Sequence, residues 1–518
     1  ARLSGWLRES SLGHFAPEPE GADQACQELL GLVLEGTASP LAAQAKEVLA
    51  LADLQSTPSG AFKALVDAGR LDRHENLALI RLGLKRDFDP DVLAEAASLA
   101  RNFRPDGEGR LDLTAVPTAT VDALGAREYD DAISLEQLPG GGHRLGLHIA
   151  DVAAMVPPGS LVDKWAAVQI SSIYLPEGRR PMLPEALTEG LASLRAGEDK
   201  PAFSLLATLD AAGQILDYQF RPTLVRVDLQ VSFPRADELL ESGQGGILEP
   251  LESLSLGLLA NRLAAGGQNL NLPHLNVTLN AEGRTEVWLT DDGSRSNLMV
   301  GEFMILANHL AARTLMEASV ACPFRFQNPA RPLAWNPPKP LSGRVELAVA
   351  LASRRLVGRG GLSLEPLAHS GLGLGPYTSF TSPMRRYLDL LVARQLRAHS
   401  TGKAPAYSRQ DMMGLALPAD ETQRAIRRMQ NDRQRYWLAW HLAGQVGQDF
   451  VALVYDRRGR RGRLCITDLM LEVELPSLPD AARPGSDVIL RLARSVPGPE
   501  LPGTDRDDML RFEFVSLA

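Results

Sequence analysis

Between residues 122 and 131 the chain packs four carboxylates into ten positions, in the run Thr120-Val-Asp122-Ala-Leu-Gly-Ala-Arg-Glu128-Tyr-Asp130-Asp131-Ala-Ile-Ser. The flanks alternate as half-buried strands do. Thr118-Ala-Thr-Val runs into Asp122, and Ala132-Ile-Ser-Leu runs out of Asp131, so the cluster falls on a loop between strands. Carboxylates this close repel one another unless cations or arginines offset their charge. A fold built around this loop must bring such partners to it, and no other feature constrains the chain as tightly. Magnesium suits the demand, because it keeps several waters and uses a few carboxylates plus substrate phosphates. Two such ions roughly 3.5–4 Å apart serve in-line displacement at phosphorus. A solvated acidic turn is the ordinary reading of a lone Asp-Asp pair, since charges mostly sit exposed. The rest of the sequence argues against that reading here.

At 518 residues the chain exceeds one hydrophobic core and should form two to four domains. Its apolar content of 45% is that of a water-soluble protein, with no apolar run long enough for a bilayer and no basic-then-apolar leader. Cys26, Cys322 and Cys465 are scattered without zinc or disulfide spacing, which fits a reducing cytoplasm. A net charge of -9 argues against indiscriminate coating of nucleic acid. Yet arginines cluster at Arg179-Arg180, Arg354-Arg355, Arg385-Arg386, Arg424 to Arg435 and Arg457 to Arg463. Arginine recognises phosphate in a planar, bidentate way, so one defined groove for nucleic acid is expected.

Residues 1–85 read as helical. Asp23 to Glu35 forms one helix, Ser39-Pro40 caps and opens a second reaching Leu54, and Ala61 to Gly69 and Leu77 to Gly83 follow. Short helices with tight turns suit a helix-turn-helix or winged-helix module, or a helical cap on the main domain. Residues 86–115 read as a linker and 116–445 as a large mixed α/β region. Within that region Phe203 to Asp210 and Gly213 to Phe220 make a hairpin, while Leu298 to Met316 and Pro383 to His399 make buried helices. Glu421 to Gln445 is a long helix with an arginine-rich face that includes Arg428. Residues 446–518 hold short β-runs broken by prolines and glycines, as in an OB-type barrel. The expected class is α+β.

In this setting Asp122…Glu128-Tyr-Asp130-Asp131-Ala-Ile-Ser resembles the acidic signature of the ribonuclease II/R catalytic (RNB) domain, led in by Arg110-Leu-Asp-Leu113. Further matches come in the family's order: His148-Ile-Ala-Asp-Val152, Tyr174-Leu-Pro, Pro181-Met-Leu-Pro184, Leu191-Ala-Ser-Leu194, Glu302-Phe-Met-Ile-Leu-Ala-Asn308 and Thr381-Ser-Pro-Met-Arg-Arg-Tyr-Leu-Asp389. The resemblance covers residues 105 to 445, and 446–518 is similar to the family's S1-type OB domain. Family members usually begin with cold-shock barrels, whereas residues 1–85 look helical.

The resemblance implies a processive hydrolase that works from the 3′ end of single-stranded RNA and releases nucleoside 5′-monophosphates with magnesium, or manganese in its place. It makes Asp122 and Asp131 ligands of the main ion, Asp130 the carboxylate tied most directly to cleavage, and Glu128 a metal-side residue where aspartate is usual. Arg385 becomes the clamp on the scissile phosphate, set at a positive helix end if Pro383 opens the helix. Tyr174 stacks on the terminal bases, and Arg386 and Arg428 contact RNA. Ser379 replaces a usual histidine and Asn431 a usual glutamate. Two other readings stand beside this one: a catalytically inactive RNA-binding relative, and a DNA-binding regulator, for which Phe62 to Gly69 offers only Lys63. The helical N-terminus is expected to engage duplex RNA with a 3′ overhang, in a monomer that binds no membrane.

Overall fold

The computed structural model describes residues 2–14, 18–105, 109–139, 142–210, 213–291, 293–338, 341, 343–499, 501–502 and 509–518. Helices α1 (Arg2–Ser11), α2 (Ala22–Glu35), α3 (Ala42–Leu51), α4 (Pro58–Asp67) and α5 (Leu77–Arg81) make the N-terminal module. Leu29, Leu32, Leu49, Phe62 and Leu65 share its own core. Helix α4 starts as its sequence prescribes, with the Thr57 hydroxyl accepting from the Gly60 amide and Pro58 in the first turn. Ser39-Pro40 does not open α3. The Ser39 hydroxyl takes the Leu41 amide in a turn, so the helix begins at Ala42.

Residues 86–115, expected as a linker, carry α6 (Pro90–Asn102). Its apolar stripe is thin, with Val92 and Ala96 buried, and that hid it from the periodicity. Those two side chains join the main core near Trp165, and the Glu95 carboxylate accepts from the Val162 amide at 2.7 Å.

The main sheet is built from β1 (Leu111–Asp112), β2 (Thr118–Asp122), β3 (Asp131–Gln137) and β4 (His143–Ala150), then, after α7 (Val152–Met155), α8 (Leu161–Gln169) and a hairpin of β5 (Ile173–Leu175) and β6 (Gly178–Arg180), β7 (Asp199–Leu209), β8 (Ile215–Arg226) and β9 (Leu229–Ser232). Its order is β1-β8-β7-β4-β3-β2-β9, with β1–β8 and β2–β9 parallel and the other pairs antiparallel. The expected hairpin is β7–β8; its turn at 211–212 lies outside the described residues. Both faces are covered: Ile133, Leu147 and Phe203 point into one core, and Ala132, Ala150 and Leu206 into another.

Around the sheet lie α9 (Phe233–Glu241), α10 (Leu248–Ala264), the β10 (His274–Leu279)–β11 (Thr285–Thr290) hairpin, α11 (Arg295–Glu317), β12 (Phe324–Gln327), α12 (Gly343–Leu356), β13 (Gly360–Ser363), α13 (Tyr387–Ser400) and α14 (Arg409–Leu442). Pro383 does not open α13. The Arg385 and Arg386 amides both bond the Ser382 carbonyl in a turn, and the helix starts at Tyr387. Helix α14 begins well before Glu421, because Ser408 and Asp411 form a reciprocal capping box. It runs into an antiparallel sheet of β14 (Asp449–Arg458), β15 (Arg461–Ile466), β16 (Leu471–Leu475), β17 (Asp487–Ser495) and β18 (Leu510–Leu517), ordered β16-β15-β14-β17-β18, and shares its core through Trp437, Leu438 and Leu442. This sheet is consistent with an OB-type fold. Among the described residues, no helix is long and apolar enough to cross a membrane.

Candidate active site

Strand β2 ends on Asp122 and β3 begins on Asp131, so the acidic loop is the β2–β3 connection, as its flanks implied. Several bonds pin it. The Tyr129 amide donates to the Ser193 hydroxyl at 3.1 Å, the Leu194 amide to the Tyr129 carbonyl at 3.1 Å, and the Ala150 amide to the Asp130 carbonyl at 2.9 Å. The Leu191-Ala-Ser-Leu194 run therefore serves as the loop's splint. Gly125, at φ 77°, supplies the left-handed turn.

The loop forms a wall of a cleft of about 990 Å³, which Asp122, Glu128, Asp130, Asp131, Tyr174, Arg385 and Arg386 all line. Asp130 is buried, and its Oδ2 accepts from Arg385 Nε at 2.8 Å. Its other oxygen, like Asp122 Oδ2, is buried with no hydrogen-bond partner. Burial, then the charges of Asp131 and Asp130, pushes Asp122 up to about 8. Burial, then Asp130, pushes Asp131 up to about 7. The Asp130 carboxyl is raised as well, chiefly by burial, although Arg385 opposes the shift. Arg385 pairs directly with Asp130, while Arg386 acts on Asp130 and Asp131 but is paired with Asp389, so three crowded carboxylates call for further positive charge. Among the described residues, no three histidine, cysteine or acidic side chains converge tightly enough to cage a cation unaided. A few carboxylates with open oxygens are still the donor set that magnesium uses when waters and phosphate complete its shell. The residues fit that group.

Glu128 behaves differently. Its Oε2 lies 3.0 Å from Arg179 Nη1, and Arg179 also bonds Glu189 at 2.8 Å. Arg179 is the cross-strand partner of Tyr174 in the β5–β6 hairpin. Glu128 therefore ties the acidic loop to the hairpin that carries Tyr174, a residue 46% exposed and so free to meet a ligand.

Arg385 sits in the turn before α13. Asp389 holds that turn through Oδ2, which accepts from the Ser382 amide at 3.0 Å, the Ser379 hydroxyl at 3.0 Å and Arg386 at 2.7 Å. Ser379 is thus a support for the arginine turn. Opposite it, Asn308 accepts from the Phe380 amide at 2.9 Å and lines the same cleft. Arg428 is not brought to the cleft: it is exposed on α14, as is Asn431. Arg427 beside it does not line the cleft either, and burial, then the charge of Arg325, lowers its pKa. Arg179 stood in an arginine pair and Asn308 closed one of the ordered motifs, but no local pattern gave either a role at the cleft.

Residues 110–402 match the family model described as the RNB domain, and residues 4–77 match a double HTH domain. An uncharacterised ribonuclease of Synechocystis sp. is 32% identical over 72% of this chain and 56% of its own length. The chloroplastic/mitochondrial ribonuclease II of Arabidopsis thaliana is 28% identical over 89% of the chain and 57% of its own. The chain thus spans little more than half the length of these curated relatives. Among solved structures, Mycoplasma genitalium RNase R in complex with ribose-methylated single-stranded RNA superposes with a TM-score of 0.73 at 20% identity, over 85% of this chain and 77% of that one. An active-site mutant of the Dss1 exoribonuclease from Candida glabrata gives 0.74 at 20% identity, over 99% and 70%. Yeast Ssd1, titled a pseudonuclease, gives 0.61 at 18% identity, over 79% and 59%.

Proposed function

Since the chain belongs to the RNB-domain family, we propose that it is a hydrolytic exoribonuclease that shortens single-stranded RNA from the 3′ end and releases nucleoside 5′-monophosphates. The observation that carries this reading is the crowding of the cleft: Asp130 buried beside half-buried Asp122 and Asp131, with Arg385 paired to Asp130 alone and two carboxylate oxygens unpartnered. Asp122 and Asp131, with Asp130 beside them, would hold magnesium or manganese. When bound, such ions lower the pKa of an attacking water and offset charge on the leaving oxygen.

The chain's own groups do the rest. Arg385 is aligned by Asp130 and supplies a fixed positive charge toward the scissile phosphate, where negative charge grows in the transition state. Tyr174 offers a face on which any terminal base stacks, for about 1–3 kcal/mol without sequence preference. RNA is preferred over DNA because the 2′-hydroxyl is what distinguishes them at such a site. We assign residues 1–85 to a module that engages a duplex beside a 3′ overhang, 116–445 to catalysis and 446–518 to an S1-type domain that holds single-stranded RNA. The chain acts as a monomer in the cytoplasm, where its free cysteines suit a reducing medium.

A second reading, an RNA-binding relative without activity, is favoured by Glu128, which spends one oxygen on Arg179. One experiment separates the two. With 5′-labelled RNA, and with a matched DNA, the exonuclease yields a descending ladder from RNA alone in magnesium and none in chelator. An inactive relative binds the RNA in both buffers and cuts it in neither.

A further inference from the structure

Tyr174 lies on a hairpin with three residues in each strand, too short to hold its own position. What grips the hairpin sets where that ring stands. Opposite Tyr174, Arg179 is fastened to Glu128 and Glu189. On the other side, Gln430 of α14 donates to the Tyr174 carbonyl at 3.0 Å. At the tip, both oxygens of Glu177 are taken: Oε1 accepts from Arg433 Nε at 2.7 Å and Oε2 from Trp437 Nε1 at 2.9 Å.

The same Arg433 reaches the N-terminal module. Its side chain is buried, its Nη2 donates to the His74 carbonyl, and its guanidinium lies 4.6 Å from the Tyr436 ring centre and 5.3 Å from that of Trp437. His74 stands in the segment joining α4 to α5. Its ring centre is 4.8 Å from that of Trp437, and its Nδ1 is 2.6 Å from the Tyr436 hydroxyl. A single planar guanidinium therefore bonds the N-terminal module with one nitrogen and the tip of the Tyr174 hairpin with another.

We propose that Glu177 and Arg433 form a clasp through which the N-terminal module fixes the position of Tyr174, and with it the length at which a shortened RNA is let go. Both are positioning residues, since neither lines the cleft. The proposal rests on the exoribonuclease reading above and adds to the N-terminal module a role inside the cleft, beyond any contact with substrate outside it. The chemistry is demanding. The carboxylate accepts from two donors, so an amide at 177 must turn its own N–H toward Arg433 or Trp437. Lysine at 433 cannot serve both partners in one plane.

The test uses the full chain as wild type, Glu177→Gln, Arg433→Lys, Tyr174→Ala and the Tyr174→Ala/Glu177→Gln double variant. Limit products and kinetics are read on short and long 5′-labelled RNA, and hydrogen exchange on residues 173–180. Each clasp variant should lengthen the limit product and raise KM for short strands about tenfold, the worth of one stacked base. Turnover on long RNA should stay within about twofold. The double variant should be no worse than Tyr174→Ala, and residues 173–180 should exchange faster while 122–131 do not. An unchanged limit product, an additive double variant, or an equal loss on short and long RNA overturns the clasp. Should wild type cut no RNA, the exoribonuclease reading fails separately. Unchanged exchange at 173–180 in both clasp variants then still overturns the mechanical link.

Discussion

Replacing Asp130 with asparagine should leave the fold at least as stable while nearly abolishing turnover. The Asp130–Arg385 pair spans 2.8 Å, but the Arg385 side chain is 41% exposed, so solvent screens it and its loss costs about 1 kcal/mol. Against that, Asp131 is pushed up to about 7, first by burial and next by the charge on Asp130. That shift opposes the ionised form in the fold, and removing the neighbouring charge relieves part of it. The asparagine also keeps the shape and an oxygen for Arg385 Nε. The expected melting temperature is therefore equal to wild type or higher, by up to about 3 °C. Turnover should fall at least about 100-fold, as when one strong electrostatic contributor to a transition state is lost, with RNA affinity kept. Thermal melts, RNA binding in chelator and single-turnover cleavage measure the three quantities. Near-wild-type turnover, or a melt lowered by more than about 3 °C, refutes this reasoning; the second would make Asp130 mainly a structural residue.

Tyr174→Ala should lengthen the limit product while long RNA is still cut; an unchanged product would mean that the ring only packs. Deleting residues 1–85 should slow degradation of duplexes with a 3′ overhang more than that of unstructured strands, measured as initial rates on matched substrates. Burial pushes His148 down to about 3, between Ser134 and Ser204 hydroxyls at 2.9 and 2.7 Å. The unfolded histidine titrates near 6.5, so stability is whole above that pH and lost as pH falls toward 3, by about 2 kcal/mol at pH 5. Denaturant midpoints at pH 7 and pH 5 should diverge more in wild type than in His148→Gln, and equal divergence would show that another group governs the acid response.

The acidic loop was legible because strand alternation on both flanks leaves Asp122 and Asp131 at strand ends whatever the rest of the chain does. Arg385 was legible only through its motif, and its cause was misplaced: a turn stapled by Asp389, not a proline-opened helix, aims it. Other parts of the ordered motifs turn out to be scaffold. His148 sits in a buried polar chain across β3, β4, β7 and β8, continued by the 2.6 Å contact of Ser204 with Thr223. Gly146 leaves room for it, since a Cβ there would stand 2.3 Å from the Ser134 hydroxyl. Asp151 is buried between Arg110 at 2.8 Å and Arg397 at 3.2 Å, and Glu302 forks with Arg262. No local pattern distinguishes such a pair from a site, because the partners lie far apart in the sequence. The same separation hid the partners of Arg179, Asn308 and Arg433, although the residues themselves stood in named clusters or motifs, and a thin apolar stripe hid α6.

The most direct test of hydrolysis at this cleft is mass spectrometry of the products released in ¹⁸O-labelled water from RNA incubated with the full chain and magnesium. A metal-assisted water attack from the 3′ end gives nucleoside 5′-monophosphates with one ¹⁸O for each bond cut, and Asp130→Asn gives almost none. Products ending in 3′-phosphate or 2′,3′-cyclic phosphate, 5′-diphosphates, or 5′-monophosphates without the label would contradict the account.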